Sequence, residues 1–136
     1  MQKIFVWLSV ASIVCGSFNL YLATDEMKKL LGLEKELFYV RDGTVNKYAL
    51  GFLIPVPTYV NSLEFTWANA NTKTKLQYNI STASSQVSAL ASPRVNISSV
   101  GLVPERSQTW SVDLHCSGLE AGEVVITITI DITGLT

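Results

Sequence analysis

Ser111, Asp113 and His115 alternate along the stretch TWSVDLHC and supply the residue types of a nucleophile, an orienting acid and a base. Along one extended strand, however, positions i and i+4 lie ~13 Å apart, whereas a working Ser–His pair needs ~3 Å. The three therefore read as the solvent face of a half-buried strand. His115 and Cys116 are metal-ligand types, but neighbours on a strand point to opposite faces. A structural zinc would need at least two further ligands, and the chain holds 1 His. There is no glycine loop to cradle a phosphate and no HExxH motif. Glu34 and Glu36 lie in an exposed, charge-mixed stretch that gives neither a reason to act as acid or base. Residue types and spacing offer no catalytic residue, no metal site and no cofactor.

Other residues suggest modification and binding. Asn79-Ile80-Ser81 and Asn96-Ile97-Ser98 are acceptor sequons for N-glycosylation. In each, strand alternation sets the Asn opposite its apolar neighbours, so Asn79 and Asn96 should face water. Trp67 and Trp110 fall on inward-reading faces, which favours core packing over contact with a carbohydrate or lipid.

The elements that must position these residues are mostly strands. The spacing predicts a short helix after Thr24, with Thr24 as N-cap, Asp25 and Glu26 in the first turn, and Gly32 as the left-handed stop. Met27, Leu30 and Leu31 share its core-facing side. Glu36 to Arg41 reads as an aromatic strand, Asp42-Gly43 as a hairpin turn, and Val45 to Ile54 as the returning strand, closed by Pro55 and Pro57. Ser62 to Ala68, Lys75 to Ser81, Pro93 to Val100, Thr109 to Cys116 and Val124 to Ile132 follow as strands. Strand signals separated by turn chemistry at this spacing predict a mostly β fold, an antiparallel β-sandwich of Ig-like type, with one short N-terminal helix.

Composition agrees. The chain has 136 residues, 48% hydrophobic and 15% charged, with net charge -1, enough for one domain with its own core. The 10 basic residues are scattered among 11 acidic ones, which is no nucleic-acid surface. Residues 1–17 carry Lys3, then the apolar run Ile4 to Val14, then small Gly16 and Ser17, the pattern of a secretory signal peptide cleaved after Gly16 or Ser17. The run is far shorter than the ~20 residues of a membrane helix. Removing the leader takes Cys15 with it and leaves Cys116 alone. A lone Cys in a secreted chain implies a partner outside the chain, a free buried thiol or a missing segment.

The stretches LYLATDEMKKLLGLEKELFYVRDGTVNKYALGF, LEFTWAN, PRVNISSVGLVPE and VDLHCSG, in that order, resemble the WIF domain of Ryk-type receptors, above all its insect members of the Derailed and Doughnut kind. The resemblance covers residues 18–136 and implies an extracellular β-sandwich carrying a short helix. It implies a Wnt protein as partner, with its attached lipid as part of the ligand, and roles in Wnt signalling, axon guidance and cell migration. It further implies a receptor whose membrane helix and catalytically impaired kinase-like domain lie outside these residues. In such modules a second Cys, beyond one more strand, pairs with the Cys matching Cys116. The expectation is that this chain lacks the final strand and that the partner of Cys116 lies outside it. Met27, Leu30, Leu31, Leu33, Phe38 and Tyr48 are the candidate ligand-binding residues, with core packing as the competing reading. An adhesion module without a diffusible ligand, or a soluble decoy that sequesters Wnt, are the alternative functions.

Overall fold

The computed structural model of the chain describes residues 2–10, 17–56, 60–70, 75–85, 93–114 and 122–135. In chain order the elements are β1 (Gln2–Val10), β2 (Phe18–Leu22), α1 (Thr24–Leu31), β3 (Leu37–Arg41), β4 (Thr44–Val45), α2 (Lys47–Leu50) and β5 (Ile54–Val56). There follow β6 (Ser62–Asn69), β7 (Lys75–Ser84), β8 (Val100–Leu102), β9 (Gln108–Asp113) and β10 (Gly122–Leu135). They form two sheets of five strands each, in the orders β5-β1-β10-β7-β8 and β4-β3-β2-β6-β9. All pairings are antiparallel except that of β1 with β10. The mostly β sandwich read from the sequence is the fold observed.

The two sheets bury different chemistry. In the first, strict alternation sends Val124, Ile126, Ile128, Ile130 and Ile132 of β10 inward, joined by Leu76, Tyr78 and Ile80 of β7. In the second, the inward side is aromatic: Phe18, Phe65, Trp67 and Trp110 are fully buried. Their rings pack as a chain, with Phe65 stacked on Trp110 at 4.9 Å and Trp110 tilted against Trp67 at 5.1 Å. Trp67 then meets Tyr78 of the opposite sheet at 4.7 Å, so one indole joins the two layers. Both tryptophans belong to the core, as their alternation suggested.

Residues 2–10 take a place that a leader outside the domain would not. β1 lies between β5 and β10, paired with β10 from Gln2↔Gly122 to Val10↔Ile130, and its Val6 and Leu8 are fully buried. The physical reason is that one pattern serves two ends. A short apolar run rich in β-branched and aromatic residues satisfies a signal sequence and an interior strand alike, and periodicity does not separate them.

Three local expectations need correction. Thr24 is the first helical residue, not the cap; Ala23 holds that position with no side-chain bond to the helix. Val45 to Ile54 is not one strand: Asn46 breaks it, because its Oδ1 accepts from the Tyr48 and Ala49 amides and starts the single turn α2. A second helix therefore exists. Pro93 to Val100 is not a strand of its own. It touches β9 through the isolated bridge Val95↔Val112, and strand pairing begins only at Val100. The Gly32 stop and the Asp42-Gly43 turn are as expected, with φ of 70° at Gly32, 50° at Asp42 and 78° at Gly43.

Candidate functional site

The segment from Thr24 to Leu53 is built outward from the aromatic sheet. Met27 and Leu30 of α1 enter the core, and Leu31 packs against it half-buried. Glu26 is buried despite its charge: Oε2 accepts from the Glu64 amide at 3.0 Å, while Oε1 meets the Lys29 ammonium at 2.6 Å. β2 pairs with β6 only from Thr66 to Asn69. Glu26 thus supplies, from a helix, the acceptor that a longer β2 would have offered to Glu64. This contact fixes α1 to the sheet.

β3 carries a bulge. Its register against β2 shifts between Leu20 and Tyr21, so Tyr39 and Val40 are both buried although adjacent. The shift also gathers Phe38 and Arg41 on the outer side. Phe38 stacks on Tyr21 at 4.7 Å, and the Arg41 guanidinium lies over the Phe38 ring at 5.0 Å. Simple alternation would have sent these two side chains to opposite faces, which is why Arg41 and Tyr21 went unnoticed in the sequence. The Tyr39 hydroxyl and the Trp110 indole N–H are buried with no hydrogen-bond partner among the described residues. Burial pushes the Tyr39 hydroxyl well above the ordinary tyrosine pKa.

Beyond the hairpin, Asn46 organises the exposed end. Besides capping α2, its Nδ2 donates to the Phe38 carbonyl at 3.1 Å, tying the turn to β3. The turn then displays Tyr48, 92% exposed, and Phe52 and Leu53, 41% exposed each. Lys47 is exposed beside them. Phe52 and Leu53 were missed because a continuous strand would have buried half of this stretch.

The six candidate ligand residues are therefore divided. Met27 and Leu30 are core, Leu31 and Phe38 are half-buried, and Leu33 and Tyr48 are exposed. Asn79 and Asn96 are both exposed. Ser111 and Asp113 are half-buried, whereas His115 and Cys116 lie outside the described residues. Among the described residues no three His, Cys, Asp or Glu side chains cluster as metal ligands, and no helix is long and apolar enough to cross a membrane.

The structure thus offers a sandwich with apolar side chains displayed on a turn that Asn46 braces. Comparison with known families places it: the WIF domain model matches residues 20–135, and the chain belongs to the WIF domain family. It is 40% identical to Tyrosine-protein kinase Dnt of Drosophila melanogaster over 125 residues, 92% of this chain and 21% of that protein. It is 39% identical to Tyrosine-protein kinase RYK of Mus musculus over 86% of this chain and 19% of that protein. Wnt inhibitory factor 1 of Homo sapiens is 24% identical over 78% of this chain and 30% of that protein. The chain thus spans about a fifth of the length of its kinase-named relatives. The match to them lies in the WIF region, and these 136 residues carry no kinase domain.

Proposed function

We propose that this WIF domain is an extracellular recognition module for a Wnt protein, acting as the ligand-binding part of a Ryk-type receptor. The observation that carries the reading is the match of residues 20–135 to one family shared with RYK and with a protein named for inhibiting Wnt. The geometry supports it with a surface suited to binding: the turn of Tyr48, Phe52 and Leu53, and beside its base the column of Arg41, Phe38 and Tyr21. Exposed aromatic and Arg side chains on a rigid frame are the residues that most often anchor a protein interface. Roles in axon guidance and cell migration follow if the ligand engages the receptor there.

Residues 1–17 act in this reading as the secretory leader. Their removal frees the β10 edge from Gly122 to Ile130 and the facing edge of β5. The family match begins at residue 20, after β1, which supports the view that another strand holds that position in the processed module. A final strand beyond Thr136, bringing the Cys partner of Cys116, would fill it.

The test is binding of a panel of purified Wnt proteins to the secreted domain, extended to include the final strand and the partner of Cys116, and to its Tyr48→Ser variant, whose parent side chain is too exposed to support the core. Saturable binding to one member, weakened tenfold or more in the variant with the fold unchanged, is the expected result. Absence of binding across the panel by a folded domain would turn the assignment toward adhesion.

A further inference from the structure

Asn79 and Asn96 lie in different layers, yet each lines a shallow surface depression. The first, about 310 Å³, is formed by Gln77, Tyr78, Asn79, Val100, Asp131 and Thr133. It sits on the outer side of β10-β7-β8, where Asn79 is in register with Asp131 on one side and Val100 on the other. The second, about 230 Å³, is formed by Ser62, Arg94, Val95, Asn96, Ser111 and Asp113 beside the edge strand β9. At ~30 Å³ for each liquid water, these spaces hold roughly eight to ten waters, the scale of one sugar ring rather than of a peptide or a lipid chain.

They share three features: each has a carboxylate, Asp131 or Asp113, at least one hydroxyl (Thr133 in the first, Ser62 and Ser111 in the second) and one valine, Val100 or Val95, while the second adds the Arg94 guanidinium. N-Acetylglucosamine presents the matching set: hydroxyls and an amide N–H that donate to carboxylate or hydroxyl oxygens, and a methyl with C–H faces that pack on an aliphatic side chain. Asn96 is also aimed in advance. Its Oδ1 accepts from the Ser111 backbone N–H at 2.8 Å, and the Asn96 backbone N–H donates to the Ser111 carbonyl at 3.0 Å. Glycan transfer forms a bond from C1 of the sugar to Nδ2 and breaks the C1–O bond to the lipid diphosphate, which leaves as Nδ2 gives up one proton. Oδ1 keeps its acceptor role throughout, so the Ser111 bond survives and holds the first sugar in a fixed direction.

We propose that the first N-acetylglucosamine of a glycan on Asn79, and of another on Asn96, lies down in its depression and becomes part of the folded surface. Neither depression includes a residue of the α1–α2 segment, so the glycans clad the outer side of the first sheet and the β9 edge while leaving that segment bare. The proposal rests on occupancy of both sequons.

Mass spectrometry of the domain secreted from eukaryotic cells reads occupancy first; unmodified asparagines would overturn the premise and the proposal together. On occupied protein, thermal unfolding is compared for the full glycan, the glycan trimmed by endoglycosidase to one sugar, and the variants Asn79→Gln and Asn96→Gln. The single-sugar form should melt with the full form, and each Gln variant about 3–6 °C lower. Val100→Ser, at a half-exposed site, should shrink the difference made by the Asn79 sugar while barely moving the Asn79→Gln background. Contacts in NMR spectra between the sugar acetyl methyl and the Val100 and Val95 methyls are expected as well. Occupied sites with no stability difference and no methyl contact would overturn the proposal.

Discussion

The two sheets solve the same packing problem with different materials. The sheet of β5, β1, β10, β7 and β8 relies on an aliphatic ladder, every second residue of a long strand pointing inward. The sheet of β4, β3, β2, β6 and β9 relies on large rings and on specific polar ties: Glu26 to Glu64, Asn46 to Phe38, Trp67 Nε1 to Gln108 Oε1 at 3.0 Å. Aliphatic ladders tolerate exchange of one strand for another of the same pattern. Ring-packed layers with polar ties do not, because each member has a particular shape and partner. The family match begins after β1 and takes in every strand of the second sheet from its third residue onward. The exchangeable sheet carries the strand outside the family pattern, and the fixed sheet carries the Arg41–Phe38–Tyr21 part of the candidate ligand surface, while the α2 turn packs against β3 and β1 alike.

The largest expected effect probes that difference directly. A chain of residues 18–136 lacks the buried Val6 and Leu8 and opens the β1-facing edge of β10 over nine residues, while the β7 side stays paired. Losing two buried aliphatic side chains removes about 3–6 kcal/mol, and an open apolar edge invites pairing with another copy. Such a chain should unfold at lower denaturant and self-associate in sedimentation. A synthetic peptide of residues 2–10 added in trans should reverse both effects. A leaderless chain as stable and monomeric as the full one would show that the ladder needs no strand there.

Next in size is Trp67→Ala. This ring touches Phe18, Trp110 and Tyr78, so its loss opens a cavity at the junction of both layers. A cost of about 3–5 kcal/mol in chemical denaturation is expected. Ile128→Val, in the aliphatic ladder, should cost only about 0.5–1.5 kcal/mol. Equal costs would erase the distinction between the sheets.

Tyr39→Phe tests the aromatic layer in the opposite direction. The buried hydroxyl has no partner among the described residues, so removing it should leave stability unchanged or raise it by about 1–2 kcal/mol. Burial raises the folded pKa of this group above its unfolded value. The unfolded chain therefore releases the proton first, so this group leaves stability independent of pH below about pH 10 and lowers it as pH rises beyond that. The Phe variant should show a shallower loss of stability between about pH 10 and 11.5, read by urea unfolding at each pH.

How much of this was legible follows the same division. The aliphatic ladder announces itself: alternation in Val124 to Ile132 gave the strand, its inward face and its polar side. Trp67 and Trp110 were placed in the core by the same logic. What stayed hidden depends on backbone detail that alternation does not encode. The bulge at Tyr39 puts Phe38 and Arg41 on one face, where alternation would separate them, and the Asn46 cap turns an apparent strand into α2. Residues 2–10 read as part of a leader, although the same pattern suits the interior strand they form here. The ligand residues proposed from helical spacing split between core and surface, since spacing reports a common face and not which way that face looks.

A small expected effect on stability comes with the sharpest test of the candidate recognition surface. Asn46→Ala removes an N-cap whose Oδ1 serves two amides, along with the Nδ2 bond to the Phe38 carbonyl. Loss of such a cap costs about 1 kcal/mol, and α2 is a single turn at the rim, so the core should be little disturbed. The turn that displays Tyr48, Phe52 and Leu53 would nonetheless lose its brace. A binding surface must be ordered before it can bind, and ordering two or three side chains at the moment of contact costs about 0.5–1.5 kcal/mol each. Affinity for the ligand should therefore fall by more than the stability change alone accounts for, roughly tenfold. If affinity were unchanged while hydrogen exchange at Tyr48 and Ala49 quickened, the ligand would have to sit elsewhere on the fixed sheet, with the Arg41–Phe38–Tyr21 column as the next surface to alter.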